Sequence, residues 1–264
     1  GSTLLGYGQS NGSDELRELI AEQYDGASDR SVLVTTGGAE ANFTCFWHLF
    51  EGDAKATIIL PTYGQVPGLL ESFDSRLTGV NLREEEGWQP DLDALEASLA
   101  DGSSFVLITN PNNPTGVTVT ADEISYLLDN IPEDIPVLID EAYHHFVEDP
   151  AYEESLKYVR EGRRVVIART FSKIYGMAAM RIGFAIAPPD MIQEMRPYST
   201  GSVNALARWG AVASMEDQPA ADRMLVHKKR LREQTISDLE GLGYECIPSQ
   251  TNFFMVNLRQ TVAP

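Results

Sequence analysis

The alternation of short apolar segments with amphipathic ones along the chain is the feature that most constrains its fold. Short apolar segments bounded by glycine, proline or polar residues predict buried strands, and apolar residues at helical spacing between them predict helices. Strands that alternate with helices favour an α/β fold with a mostly parallel sheet flanked by helices. The predicted strands are 31–36, 56–60, 105–109, 137–139, 165–168 and 182–187.

The character of the sequence changes after Pro188 and Pro189. Before this point, helices are expected to begin at Ser13 and at the glycine turn after residue 36. Further helices are expected at 92–99, at 124–128 and around Leu156. Later segments predict two long helices followed by a returning strand, at 204–215, 223–239 and 253–257. We therefore expect a large sheet domain over residues 1–200 and the start of a smaller C-terminal α+β domain over 201–264.

Composition narrows the possible partners and compartment. The 264 residues carry a net charge of −19, which argues against nucleic acid because no basic stripe is present. Two cysteines far apart in sequence, Cys45 and Cys246, do not form a disulfide framework, so the reducing cytoplasm is the expected compartment. No apolar run approaches the length of a membrane span, so we expect no membrane partner.

The segment 168–184 holds a lysine between two predicted buried strands. Lys173 follows the hydroxyls of Thr170 and Ser172, and Arg181 comes eight residues later. Such strand ends are where α/β proteins collect their chemistry. An amine there can form a Schiff base, while hydroxyls and a guanidinium can bind a phosphate group. This combination suggests pyridoxal phosphate.

Other predicted strands also end in residues that can carry chemistry. Gly37 and Gly38 lead into a helix N-terminus, which can bind an anion, although glycine turns of this kind are common. The proline- and asparagine-rich segment 110–116 predicts a rigid non-helical loop. Asp140 ends another strand, where a carboxylate is usually solvated or caps a helix. Facing a pyridine nitrogen, it would keep that nitrogen protonated.

Taken together, these motifs resemble the fold-type I pyridoxal-phosphate-dependent aminotransferases (class I/II), most closely the histidinol-phosphate aminotransferase branch. They follow the family's order over residues 36–184. The resemblance implies that Lys173 binds the cofactor and moves protons, and that Asp140 contacts the ring nitrogen. It also implies cofactor contacts for the phosphate group (Gly38, Ala39, Thr170, Ser172, Arg181), the ring face (Tyr63) and the 3′-oxygen (Asn113, Tyr143).

The resemblance further implies a homodimer, in which Tyr7 reaches the neighbouring subunit's phosphate; an ordinary exposed tyrosine is the alternative. The implied activity moves an amino group between an amino acid or amino-alcohol phosphate and a 2-oxo acid. Decarboxylation, elimination or cyclisation with the same cofactor remains an alternative, because the cofactor motifs do not distinguish these reactions. A non-catalytic cofactor-binding sensor domain is another alternative, although this acidic chain shows no DNA-binding domain.

Two adjacent histidines could instead indicate a metal cluster. His144 and His145 lie near Asp140 and Glu141, but adjacent histidines point in different directions and show no metal-ligand spacing, so we expect core or hydrogen-bonding histidines and no metal.

The segment 248–254 resembles the family's entry into its C-terminal domain. Arg259 does not match the family's carboxylate-binding arginine, so we expect a fragment or a shortened relative.

Overall fold

A computed structural model describes residues 6–24, 28–49, 54–72, 76–100 and 102–260. In these ranges one sheet has seven strands in the order β1-β7-β6-β5-β4-β2-β3, and a second sheet pairs β8 with β9. The strands are β1 Val32–Thr35, β2 Lys55–Leu60, β3 Arg76–Asn81, β4 Phe105–Thr109, β5 Val137–Asp140, β6 Val165–Thr170, β7 Gly183–Ile186, β8 Glu245–Cys246 and β9 Val256–Asn257.

The large sheet is mostly parallel, as the strand and helix alternation predicts. The five neighbouring strands β6, β5, β4, β2 and β3 are all parallel to one another. Strand β7 is antiparallel to both β1 and β6, with Gly183 opposite Thr35 on one side and Thr170 on the other. Since β7 separates them, β1 and β6 run in the same direction.

Helices cover both faces of this sheet. They are α1 Asp14–Gln23, α2 Gly38–Leu49, α3 Gln65–Ser72, α4 Leu92–Ala100, α5 Ala121–Asn130, α6 Leu156–Arg160, α7 Pro189–Met195, α8 Ala205–Glu216 and α9 Gln218–Gly241. Successive residues of a strand point to opposite faces, so Val106 and Ile108 join a core shared with α1, α4, α5, α6 and α8. Phe105 and Leu107 join the core beneath α2, α3 and α7.

Local signals fix several helix ends. The Ser13 hydroxyl accepts a hydrogen bond from the N–H of Leu16 at the start of α1. At the start of α5, Thr120 and Glu123 form a reciprocal capping box, which satisfies two backbone donors that have no partner within the helix. These side chains explain why α1 and α5 begin where they do.

The predicted strand at 253–257 is shorter in the structure, where only Val256–Asn257 pairs. Before it, the segment 248–251 contacts the loop after β4: the Gln250 N–H donates to the Gly116 carbonyl at 2.7 Å. A side chain at Gly116 would collide with the Ser249 hydroxyl, and Gly116 has φ +77°. The domain boundary at residue 200 stays a prediction, and α8 shares the core that α1 packs against.

Among the helices of the described ranges, none combines the length and the apolar character that a membrane crossing needs.

Candidate active site

The carboxyl ends of β1, β2, β4, β5 and β6 meet at one edge of the large sheet, because these strands run in the same direction. Binding sites of open α/β sheets form at such edges. An open cavity of about 180 Å³ lies there. Its lining residues are Gly38, Ala39, Asn42, Tyr63, Thr109, Asn113, Asp140, Ala142, Tyr143, Thr170, Ser172, Lys173, Ala178 and Arg181.

Glycines shape the turn between β1 and α2. Gly37 has φ +92°, and a Cβ atom there would lie 2.5 Å from an Arg181 guanidinium nitrogen. A Cβ atom at Gly183 would lie 2.5 Å from the Gly38 amide nitrogen and 2.7 Å from the Arg169 carbonyl oxygen. Both positions therefore need glycine, and the close approach puts the Arg181 side chain beside the N-terminus of α2.

Glu40 fixes this turn from the helix side. Its carboxylate accepts hydrogen bonds from the Thr36 N–H and, at 2.7 Å, from the Thr200 N–H. Burial by itself would raise the pKa of Glu40, but the hydrogen bonds from Thr200 and Thr36 together outweigh burial and lower that pKa. The ionised Glu40 carboxylate therefore joins the glycine turn to the segment that precedes α8 through hydrogen bonds.

Asp140 is the buried carboxylate of the cavity, with 7% of its surface exposed. One oxygen accepts a hydrogen bond from Asn42 Nδ2 at 2.8 Å, and the other accepts one from the Ala142 N–H at 3.1 Å. Burial raises the pKa of Asp140, while the Asn42 hydrogen bond and the charge of Lys173 act in the opposite direction. The site thus contains a carboxylate whose charge is only partly compensated by the protein.

Three polar side chains line the cavity near Asp140. Lys173 Nζ lies 4.8 Å from the centre of the Tyr143 ring. The Asn113 amide donates to the Tyr143 hydroxyl at 3.4 Å. Two hydrogen bonds of about 3 Å between the Asn110 side chain and the Val119 backbone close the loop that carries Asn113.

The hydroxyls of Thr170 and Ser172 lie at the end of β6. Thr170 Oγ1 donates to Ser172 Oγ at 2.9 Å and accepts from the Ser172 N–H at 3.1 Å. Arg181 has a left-handed backbone conformation with φ +56°, and its guanidinium donates to the Ala178 carbonyl at 2.8 Å. These donors border the same cavity as Gly38 and Ala39. Thr170, Ser172, Arg181 and the helix N-terminus together can bind a dianion.

Tyr7 lies apart from this cavity and is fully exposed. It borders a separate surface depression next to Val203 and Leu206. Tyr7 is therefore the one sequence-predicted site residue that a single chain does not bring to the cavity.

The two adjacent histidines also lie away from the cavity. Contrary to the expectation that they diverge, the His144 and His145 rings lie 3.7 Å apart, because a 3-10 turn follows Tyr143. His144 Nδ1 lies 2.8 Å from the Glu141 carbonyl oxygen. Among the described residues, histidine, cysteine and carboxylate side chains form no group of three that could hold a metal ion.

Sequence reasoning missed Asn42, Thr109, Ala142 and Ala178 as lining residues. A signal for Asn42 was available, since it lies four residues after Gly38, and residues so spaced share one face of a helix. Thr109 ends β4, and its hydroxyl lies 2.8 Å from that of Thr62. For Ala142 and Ala178, nothing in the residue type pointed to the cavity.

Comparison with known proteins agrees with this geometry. The family model "Aminotransferase class I and II" matches residues 1–262. The chain is 34% identical to a histidinol-phosphate aminotransferase of Akkermansia muciniphila over 92% of its own length and 66% of that relative's length. It is 36% identical to an aromatic amino acid aminotransferase of Cutibacterium acnes, over 91% of its own length and 68% of that relative's.

A solved structure shows the same fold. A protein assigned as a histidinol-phosphate aminotransferase from Erwinia carotovora atroseptica superposes with a TM-score of 0.86 and 30% identity, over 90% of this chain and 69% of that one. The chain thus spans about two thirds of the length of these relatives or less, down to 58% for a relative from Moorella thermoacetica. Sequence, fold and cavity together show that this chain belongs to the class I and II aminotransferase family.

Proposed function

We propose that this protein is a pyridoxal-phosphate-dependent aminotransferase. One observation carries the proposal: the amine of Lys173 and the buried carboxylate of Asp140 border the same cavity, with an anion-binding turn beside them. An amine, a carboxylate and a phosphate site in one cavity match the three chemical features of this cofactor, which are its aldehyde, its ring nitrogen and its phosphate.

The residues present fit the cofactor. Glycine at 37 lets the Arg181 guanidinium approach the turn before α2, and glycine at 183 lets β7 pack directly against the same turn, so a cationic side chain lies beside the positive N-terminus of α2. At the other end, burial raises the pKa of Asp140, so a cationic ring N–H beside it would compensate a charge that the protein leaves only partly balanced.

Each lining residue that the sequence predicted then has a role toward the group. The amides of Gly38 and Ala39 with Thr170, Ser172 and Arg181 would bind the phosphate, and Tyr63 would cover one face of the ring. Asn113 and Tyr143 would donate to the 3′-oxygen. Asp140 would accept the ring N–H, and Lys173 Nζ would bind the aldehyde carbon with loss of water.

Lys173 would also carry out the proton transfers. When bound, pyridoxal phosphate supplies a protonated ring that withdraws the electron pair from the substrate's α-carbon. An amino substrate would free Lys173 Nζ from the cofactor. The free amine would then take the proton from the substrate's Cα as a general base and deliver it to C4′ as a general acid. Asp140 keeps the ring nitrogen protonated during this transfer, and Tyr143 orients the 3′-oxygen.

The proposed substrates are an amino acid or amino-alcohol phosphate as donor and a 2-oxo acid as acceptor. The relatives named above support this choice. We also propose a homodimer in which the exposed Tyr7 contacts the phosphate in the neighbouring subunit's cavity. The reducing cytoplasm is proposed as the compartment.

Covalent trapping tests the cofactor assignment. We expect the purified protein to develop an absorbance band at a longer wavelength than that of the free cofactor when pyridoxal phosphate is added. Borohydride reduction and peptide mass spectrometry should then place the added mass on Lys173. Lys173→Ala should lose both signals, whereas Lys157→Ala, a lysine paired with Glu153 away from the cavity, should keep them.

Modification of another lysine in the wild-type protein, or an unchanged band in Lys173→Ala, would show that the cofactor assignment is wrong. With trapping established, half-reactions with amino donors that include histidinol phosphate and aromatic amino acids test the transamination itself. Release of carbon dioxide from a labelled donor would indicate decarboxylation, and release of its nitrogen as ammonia would indicate elimination. Amino transfer instead moves the labelled nitrogen to a 2-oxo acid acceptor.

A further inference from the structure

Asn42 contacts the only described carboxylate that borders the cavity, Asp140. We infer that Asn42 is a positioning residue that keeps Asp140 ionised and holds its carboxylate plane toward the cofactor's ring nitrogen. This inference rests on the proposed function. It adds a residue that lies on a helix and belongs to no strand-end motif.

The geometry fixes the orientation of the carboxylate. Asn42 Nδ2 donates to one oxygen of Asp140 at 2.8 Å, and the Ala142 N–H donates to the other at 3.1 Å. With one donor on each oxygen, the carboxylate cannot rotate without losing a hydrogen bond in a buried position. The Ala142 donor is backbone and close in sequence, so Asn42 is the side chain that determines the plane.

The same contact bears on the charge of Asp140. Burial disfavours the ionised form and raises the pKa of Asp140, and nearby Glu141 acts in the same sense. Hydrogen bonds from Asn42 and Ala142 and the charge of Lys173 favour the ionised form. Removing the Asn42 donor would shift Asp140 toward the neutral acid, which is a poor partner for a protonated ring nitrogen.

Asn42 is buried with half of its amide group unsatisfied by the described residues. It is 1% exposed, and its Oδ1 atom has no hydrogen-bond partner among the described residues. An unsatisfied buried amide oxygen is destabilising, and an apolar side chain of similar size would remove that cost. The hydrogen bond from the Asn42 amide to Asp140 offsets part of that cost.

Its place on α2 links the two ends of the cofactor site. Gly38 and Ala39 form the first turn of this helix and border the proposed phosphate site. Asn42 lies one turn further along the same face. Helix α2 therefore supports the phosphate end of the cofactor site through its backbone amides. It supports the ring-nitrogen end through the hydrogen bond from Asn42 to Asp140.

Titration of Asp140 in the cofactor-free full chain tests the charge effect. The carboxyl groups are labelled with 13C aspartate, and Asp140→Asn identifies the signal by NMR. We expect Asp140 to titrate at a higher pH in Asn42→Leu and in the isosteric Asn42→Asp than in the wild type. Thr44→Val is the matched control, because Thr44 is a fully buried residue on α2 whose hydroxyl has no partner among the described residues.

The loaded protein provides a second readout. With cofactor labelled at its ring nitrogen, the 15N shift should report a protonated nitrogen in the wild type and Thr44→Val. In Asn42→Leu, the deprotonated form should appear at a lower pH. Loss of one hydrogen bond to a charged group should slow substrate Cα deprotonation about tenfold or more at saturating cofactor.

An Asp140 titration that is the same in Asn42→Leu, Asn42→Asp and the wild type would overturn the inference. An equal shift in Thr44→Val would also overturn it, because the effect would then come from loosening of α2. If the wild-type protein fails to bind pyridoxal phosphate, the proposed function fails, while the cofactor-free titration still tests the Asn42 contact independently.

Discussion

At the residue scale, Arg181 is the side chain on which the proposed phosphate site depends most directly. The Gly37 and Gly183 positions bring its guanidinium beside the N-terminus of α2. Arg181→Ala should weaken pyridoxal phosphate binding by about 10- to 100-fold, since hydrogen bonds between charged groups contribute about 1.5–3 kcal/mol. The measurement is the dissociation constant of the cofactor from absorbance titrations.

Two further variants make this prediction specific. Arg181→Lys should recover part of the affinity, because lysine keeps the charge but lacks the planar fork of donors. Arg196→Ala removes an exposed arginine outside the cavity and should leave affinity unchanged. The phosphate role of Arg181 would be wrong if Arg181→Ala bound the cofactor within twofold of wild type.

The sequence predicts most of the cavity residues that follow strands, although it missed Thr109, and it missed Asn42 one turn into α2. Lys173, Asp140 and Asn113 each follow a predicted strand, and parallel strands bring their carboxyl ends to one edge. The contact of Asn42 with Asp140 was not predicted, because the two residues are 98 positions apart in sequence. Such a pair is decided by how α2 packs across β5, which no local pattern encodes.

At the element scale, β7 packs directly against the turn before α2, where the proposed phosphate site begins. A Cβ atom at residue 183 would lie 2.5 Å from the Gly38 nitrogen and 2.6 Å from the Gly37 carbonyl carbon. These are backbone atoms, so the strand or the helix would have to move. Gly183→Ala should lower the free energy of unfolding by roughly 1–3 kcal/mol and weaken cofactor binding. Urea unfolding and cofactor titration measure the two effects.

Gly68→Ala is the matched glycine control. A Cβ atom there meets nothing within 4 Å, and alanine favours a helix such as α3 more than glycine does. We expect unchanged or slightly increased stability and normal cofactor binding. If Gly183→Ala behaved in the same way as Gly68→Ala, the close approach of β7 and α2 would be needed neither for stability nor for cofactor binding.

Central elements were predicted, whereas several peripheral ones were not. Strands β4 and β5 are buried along their whole length, so they appear as continuous apolar runs. Strand β3 lies at the sheet edge and contains Gly79, which breaks the pattern of an ordinary strand. Helix α3 contains Pro67 and Gly68, both poor helix formers, so the segment lacks a clear helical signal.

At the scale of the whole molecule, a buried ion pair ties together the segments that carry the site. Arg169 and Glu141 are 1% and 0% exposed, and an Arg169 Nη2 to Glu141 Oε2 distance of 2.6 Å joins them. The Arg169 guanidinium also lies 4.2 Å from the centre of the Tyr24 ring. Since Arg169 and Glu141 are sequence neighbours of Thr170 and Asp140, this ion pair joins the ends of β5 and β6 next to two residues that line the cavity.

Burial of the two adjacent histidines makes the stability of the fold depend on pH. Burial, aided by the positive charge of Arg169, lowers the pKa of His145 to about 3 and lowers that of His144 well below its usual value. In the unfolded chain both would titrate near 6.5. Below that pH the unfolded state binds protons that the folded state does not, so stability falls as the pH falls.

His145→Leu should therefore flatten the acid side of the stability profile. Each such histidine contributes a slope of up to about 1.4 kcal/mol per pH unit below about pH 6.5 and above its folded-state pKa. We expect the loss of unfolding free energy between pH 6.5 and 5 to be smaller in His145→Leu than in the wild type. Urea unfolding at a series of pH values measures it. His227→Leu, an exposed histidine on α9, should keep the wild-type slope. Equal slopes for all three proteins would mean that His145 accepts a proton as readily in the folded chain as in the unfolded one.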